Sequence, residues 1–421
     1  MSARRLLPAA LLLAVPVAGP LSVALPAGPA NAAPAQSAAA AAPAGRQCAP
    51  PATTVFRPVP WAQRRLDPQR VWMLTRGDSV TVAVIDTGVS RTAPTLAGRV
   101  LPGEDVRTGG PADTDCAGHG TFVAGLIAAR PTAAGGEGGG VGTASFTGLA
   151  PDARILPIRV SDQAEDVHPD LLAKGIEAAV HGGATVIAVV ATAPFGSPAL
   201  QHAVTRANRR GALIIASAVT VRGQDGDIAY PAALPGAISV MAIGPDGTPP
   251  DVHPANRPTL AAPGADLISI APTGRGNVQG SGVNLCVGYA AGTAALVRAY
   301  LPRLTAAAVR DRLTTTTDPI ADRPDPLLGD GIVNPVAAVT AILPPPTEGG
   351  PAPPTPEPVV LPPTPVVDRR PAHAALAWAA AALLAGISIG VISPILIHGR
   401  RRRWNATPEA LEPRTKPRRE S

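Results

Sequence analysis

Four short runs constrain this chain more than anything else in it: residues 79–85 (SVTVAVI), 154–160 (RILPIRV), 184–190 (ATVIAVV) and 212–218 (ALIIASA). Each is rich in β-branched residues and largely apolar, without the strict polar alternation of a half-solvated strand. Residues 121–129, 171–181 and 199–209 carry apolar positions at helical spacing. A strand that is apolar on both faces must be covered on both, and strands alternating with helices achieve this in a parallel sheet. The expectation is an α/β fold with a mostly parallel sheet, helices on both faces, and ligands meeting the carboxyl ends of the strands.

The ends of the chain have a different character, and many of its 51 prolines gather there. Residues 1–32 read as a secretory signal peptide: Arg4 and Arg5, then an apolar stretch, then Ala30-Asn31-Ala32 as a small-residue cleavage site. Pro16, Pro20 and Pro26 argue against an uncleaved anchor helix. Residues 33–59 are expected to be disordered and then to form an extension ahead of a domain at 60–343. The proline-rich segment 344–372 cannot make ladder hydrogen bonds and reads as an extended stalk. Within the expected transmembrane helix, 373–398, residues 374–397 form an uncharged run of 24, and about 20 suffice to cross a bilayer. The basic tail, 399–421, opens on Arg400 to Arg403 and so places the C-terminus in the cytoplasm and the domain outside.

The net charge of +6 does not signal a nucleic-acid partner. The segment 400–421 carries +5 of it and Arg4 and Arg5 another +2, which leaves the remainder close to neutral and without the basic field a phosphate backbone needs. No cofactor or metal is implied. An oxidising exterior permits Cys48 to pair with Cys116 and leaves Cys286 as a small buried residue at an apolar helix start.

Asp86 ends the first strand and His119 sits in Gly118-His119-Gly120-Thr121. An aspartate that fixes a histidine's tautomer is half of a hydrolytic triad, although each residue alone reads equally well as a turn aspartate or a structural histidine. Their surroundings are more specific. VAVIDTGV (82–89), GHGTFVAG (118–125), GLAPDARILPIRV (148–160), AAPGADLISIAPTG (261–274) and AGTAALVRAYLP (291–302) resemble, in order, blocks of the subtilisin-like (peptidase S8) serine proteases. The stretch 60–89, the two early cysteines, the proline-rich linker, the single span and the basic tail resemble more narrowly the mycosins, subtilisin-like proteases of type VII secretion systems. That resemblance implies a subtilisin-like fold, a Cys48–Cys116 disulfide, Asp86 and His119 as catalytic residues, and the type VII membrane complex as partner, which the family protease stabilises in a role separable from cleavage. The family's second disulfide has no counterpart here.

The pattern breaks at the third catalytic block. Where the family has Gly-Thr-Ser-x-Ala-x-Pro, this chain has Gly282-Val283-Asn284-Leu285-Cys286-Val287-Gly288, with Asn284 on the nucleophile. An amide has no ionisable hydroxyl or thiol and forms no acyl-enzyme; loss of a triad serine costs on the order of 10⁶-fold. Thr220 stands where the family's oxyanion asparagine would, and loss of such a donor costs roughly 10²–10³-fold. The wall-forming strand, usually polar and small near its end, reads Ala188-Val189-Val190-Ala191. Ser281 lies in the preceding loop, and Cys286, two residues on, points to the far side of a helix. The leading expectation is an inactive mycosin-type protein acting structurally on the secretion complex. Three alternatives stay open: an active serine-type endopeptidase using another residue, a module that holds a peptide in the relict groove without cutting it, and a duplicate without a role.

Overall fold

The computed structural model describes residues 48–131, 146–320 and 324–343. The expected signal peptide, stalk, transmembrane helix and tail lie outside the described residues. Among the described residues, no helix is long and apolar enough to cross a membrane.

Seven strands form the main sheet: β1 (Thr81–Asp86), β2 (Glu104–Asp105), β3 (Arg154–Arg159), β4 (Val186–Val189), β5 (Leu213–Ser217), β6 (Ala237–Ile243) and β7 (Leu260–Pro263). Their spatial order is β2-β3-β1-β4-β5-β6-β7, and every neighbouring pair is parallel. A short antiparallel pair, β8 (Leu267–Ser269) and β9 (Val278–Gly280), stands apart. The helices are α1 (Trp61–Leu66), α2 (His119–Ala128), α3 (Pro169–His181), α4 (Pro198–Arg209), α5 (Cys286–Tyr300), α6 (Ala306–Thr315) and α7 (Pro335–Thr340).

The sheet divides the core into two layers, as its doubly apolar strands require. Val82 and Val84 of β1 join Val186 and Ile215 in a layer with α2 and α5. Ala83 and Ile85 point the other way and join Ile158, Ile187 and Ile214 against α3 and α4. Val82, Val84 and Ile85 are fully buried, each worth roughly 1.5–3 kcal/mol of transfer free energy. In α4, the Ser197 hydroxyl accepts from Leu200 N, Pro198 occupies the first turn, and Leu200, Ala203, Val204 and Ala207 form the buried stripe. In α5, burial runs from Cys286 through Val297. A Cβ at Gly288 would lie 3.1 Å from Leu126 of α2, so the glycine matches the close approach of these two helices.

Residues 48–59, expected as an extension ahead of the domain, are bonded to its surface. Cys48 is joined to Cys116 by a disulfide. Ala52 N donates to Thr273 O and Gly276 N to Ala52 O, both at 2.9 Å, while Phe56 N donates to Asn277 Oδ1 at 3.0 Å.

Candidate active site

The carboxyl ends of β1, β4 and β5 converge with the starts of α2 and α5. Asp86 is the last residue of β1 and is 2% exposed. His119 is the first residue of α2, and its Nδ1 lies 2.6 Å from Asp86 Oδ2. Gly120 brings the helix start against the strand end: a Cβ there would collide with the Gly88 carbonyl.

The start of α2 is organised by Asp115, a residue that sequence reasoning misses. Its carboxylate accepts from Gly118 N at 2.8 Å, Thr121 N at 2.8 Å, the Thr121 hydroxyl at 2.7 Å and the Thr87 hydroxyl at 2.9 Å. Amides at a helix start need such an acceptor. An acid shortly before Gly-His-Gly-Thr is the available signal, and the histidine overshadows it. Burial pushes the Asp115 carboxyl up, and the nearby Asp86 adds to this, against the hydrogen bonds from Thr121 and Gly118.

Asn284 completes the constellation. It is 3% exposed, in the turn before α5, and its Nδ2 donates to Val190 O just beyond β4 at 3.2 Å. Burial disfavours a charged His119, but the charge of Asp86 and its hydrogen bond, the charge of Asp115 and a hydrogen bond with Asn284 outweigh it, so the imidazole pKa is raised. The arrangement thus favours the protonated imidazole more than free histidine does.

Thr220 is fully buried, and its hydroxyl donates to Asp227 Oδ2 at 2.9 Å. Its one proton is therefore directed to a carboxylate, and a negative group stands close to the expected oxyanion position. The two alternative nucleophiles are bonded elsewhere. The Ser281 hydroxyl accepts from Asp266 N at 2.8 Å. Cys286 Sγ lies 3.5 Å from Val240 O, and burial pushes its thiol well above the ordinary range. Among the described residues, no group of three or more His, Cys, Asp or Glu side chains could hold a metal ion.

Residues 77–336 match the model of the subtilase family, peptidase S8. This chain belongs to the subtilase family. Within the subtilases, it is 34% identical to Mycosin-4 of Mycobacterium tuberculosis over 377 residues, covering 76% of this chain and 78% of the relative. It is 30% identical to Mycosin-3 of the same organism, covering 84% and 86%. Among solved structures, the subtilase fold seen here matches MycP1 from Mycobacterium smegmatis with a TM-score of 0.62 at 29% identity, over 72% of this chain and 91% of that one. A chain in the structure of an intact ESX-5 inner membrane complex matches with a TM-score of 0.59 at 28% identity, over 83% and 95%.

Proposed function

We propose that this chain is a membrane-anchored, mycosin-type component of a type VII secretion complex that keeps the subtilase scaffold and has lost peptide-bond cleavage. The observation that carries the loss is Asn284: a buried amide on the nucleophile's position, pinned to Val190 O. With no hydroxyl or thiol to activate, the Asp86–His119 pair has no nucleophile of the chain's own to deprotonate. The Thr220–Asp227 contact supports the same reading, because a carboxylate beside a developing oxyanion opposes its formation.

The complex is supported by the extent of the likeness to the chain of the ESX-5 inner membrane complex, which spans most of both chains. The anchor is supported by the uncharged run 374–397 and its basic flank. In this reading residues 1–32 are removed on export, 344–372 form a stalk, 373–398 make a single pass, and 399–421 face the cytoplasm.

Fluorophosphonate labelling of the purified full-length chain tests the chemistry. No labelling is expected; labelling that disappears on changing Asn284 or His119 would defeat the reading. Affinity purification from membranes tests the partner, with co-purification of the secretion-complex subunits as the expected result.

A further inference from the structure

A peptide laid against His119 would have to pair with the main chain just beyond β4. Asn284 bonds to Val190 there, so residues 190–193 form the wall nearest the Asp86–His119–Asn284 constellation. An added strand binds such a wall through free amides and carbonyls. In this chain much of that wall is already engaged. Val190 O accepts from Asn284 Nδ2. Thr192 O accepts from Val167 N at 2.8 Å, and Ala193 exchanges both of its backbone bonds with Tyr230 at 3.0 Å. Val167 belongs to residues 160–168, the connection from β3 to α3.

A second set of contacts fixes that connection across the strand ends. Asp166, with a side chain only 2% exposed, accepts from the Thr192 hydroxyl, from Val221 N at 2.9 Å and from Arg222 N at 3.4 Å. One carboxylate therefore ties the wall beyond β4 to the segment beyond β5, next to Thr220. Farther out, the His168 and Phe195 rings meet edge-on at 5.5 Å, and Ser197 Oγ donates to Asp170 at 2.7 Å. A carboxylate this buried is stable only with its donors in place, so opening the connection would strand polar groups on both walls.

We propose that residues 160–168 occupy the groove as the chain's own internal ligand, latched by Asp166, so that no external peptide enters. This rests on the site lying at Asp86, His119 and Asn284, and it goes beyond the loss of cleavage. An inactive groove could still hold a peptide, whereas a groove filled by its own chain cannot.

The test compares the full-length wild type with Asp166→Ala and with the milder Asp166→Asn, which keeps the side chain's volume if the alanine variant fails to fold. The probe is a pool of short, internally quenched, labelled peptides: anisotropy reads binding and fluorescence gain reads cleavage. Hydrogen exchange reads the Val167 amide. The wild type is expected to show no saturable binding and a protected Val167. A folded variant is expected to exchange at Val167 at least about tenfold faster and to gain saturable binding. Saturable binding by the wild type without product overturns the filled groove and leaves the loss of cleavage standing; product overturns both. Unchanged exchange in the folded variants overturns the latch, and faster exchange without gained binding overturns the identification of the covered surface as the groove.

Discussion

His119 is the residue on which the site's electrostatics turn. Its raised pKa means that folding takes up a proton near neutrality. The resulting stabilisation is fully present below the unfolded value of about 6.5 and is lost as pH rises through the higher folded value. An NMR titration of the imidazole should give a pKa above that of a model histidine, and Asp86→Asn should lower it. An unmoved pKa in that variant would contradict the ion-pair account. Asn284→Ser restores a hydroxyl beside His119 but leaves Thr220 committed to Asp227. Its fluorophosphonate labelling should therefore stay at least about 10²-fold slower than that of an intact subtilase run in parallel. Asn284 could be read from sequence because the small-residue run at 291–298 anchors its position. The Thr220–Asp227 contact could not, because Asp227 lies in a loop whose return depends on the folded chain.

At the scale of elements, two side-chain devices hold pieces that short helices could not hold alone. Arg312 of α6 is 9% exposed and donates to the carbonyls of Ala338, Val339 and Ala341 at the end of α7. Arg312→Ala leaves buried acceptors without donors, at about 1–3 kcal/mol for each group left unsatisfied. Urea denaturation should register a loss within that range or above it, whereas an exposed arginine such as Arg303 should change stability by less than about 0.5 kcal/mol. The Cys48–Cys116 disulfide spans a sequence separation of 68, for which loop-closure entropy gives about 4 kcal/mol. Replacing both cysteines with serine should lower the denaturation midpoint and loosen residues 48–59, read as faster proteolysis there. Strands β1, β3, β4 and β5 and helices α2, α3 and α4 were legible because burial imposes long apolar runs and stripes, whereas β6 and β7 were not read. The two-residue β2 was not, and neither were β8 and β9, whose pairing comes from chain return rather than from local pattern. The backbone bonds that residues 48–59 make to the β8–β9 hairpin were not legible, because their composition gives little sign of them.

At the scale of the molecule, the α/β class followed from sequence, since it derives from the periodicity of the whole chain, and the same class directs the search for a site to the carboxyl ends of the strands. The filled groove did not, because it depends on where the β3–α3 connection lands once the sheet exists. The proposed topology makes its own prediction: in intact cells, an impermeant thiol reagent should reach a cysteine introduced at Thr347 after removal of Cys286, and should not reach one introduced at Ser421. The order of the sheet also governs timing. Thr81 of the central strand pairs with Arg154 and Val82 with Val186, so β1 waits for roughly 70 to 100 residues before either neighbour has been made. At about 5–20 residues per second, this leaves a β-rich run without partners for several seconds or more. Such a run is prone to stick to other copies of itself, and a charge at its boundary is the usual protection. Asp86 is the one charge in that strand. Even without a peptide bond to cut, that aspartate would still guard the emerging strand against other copies of itself.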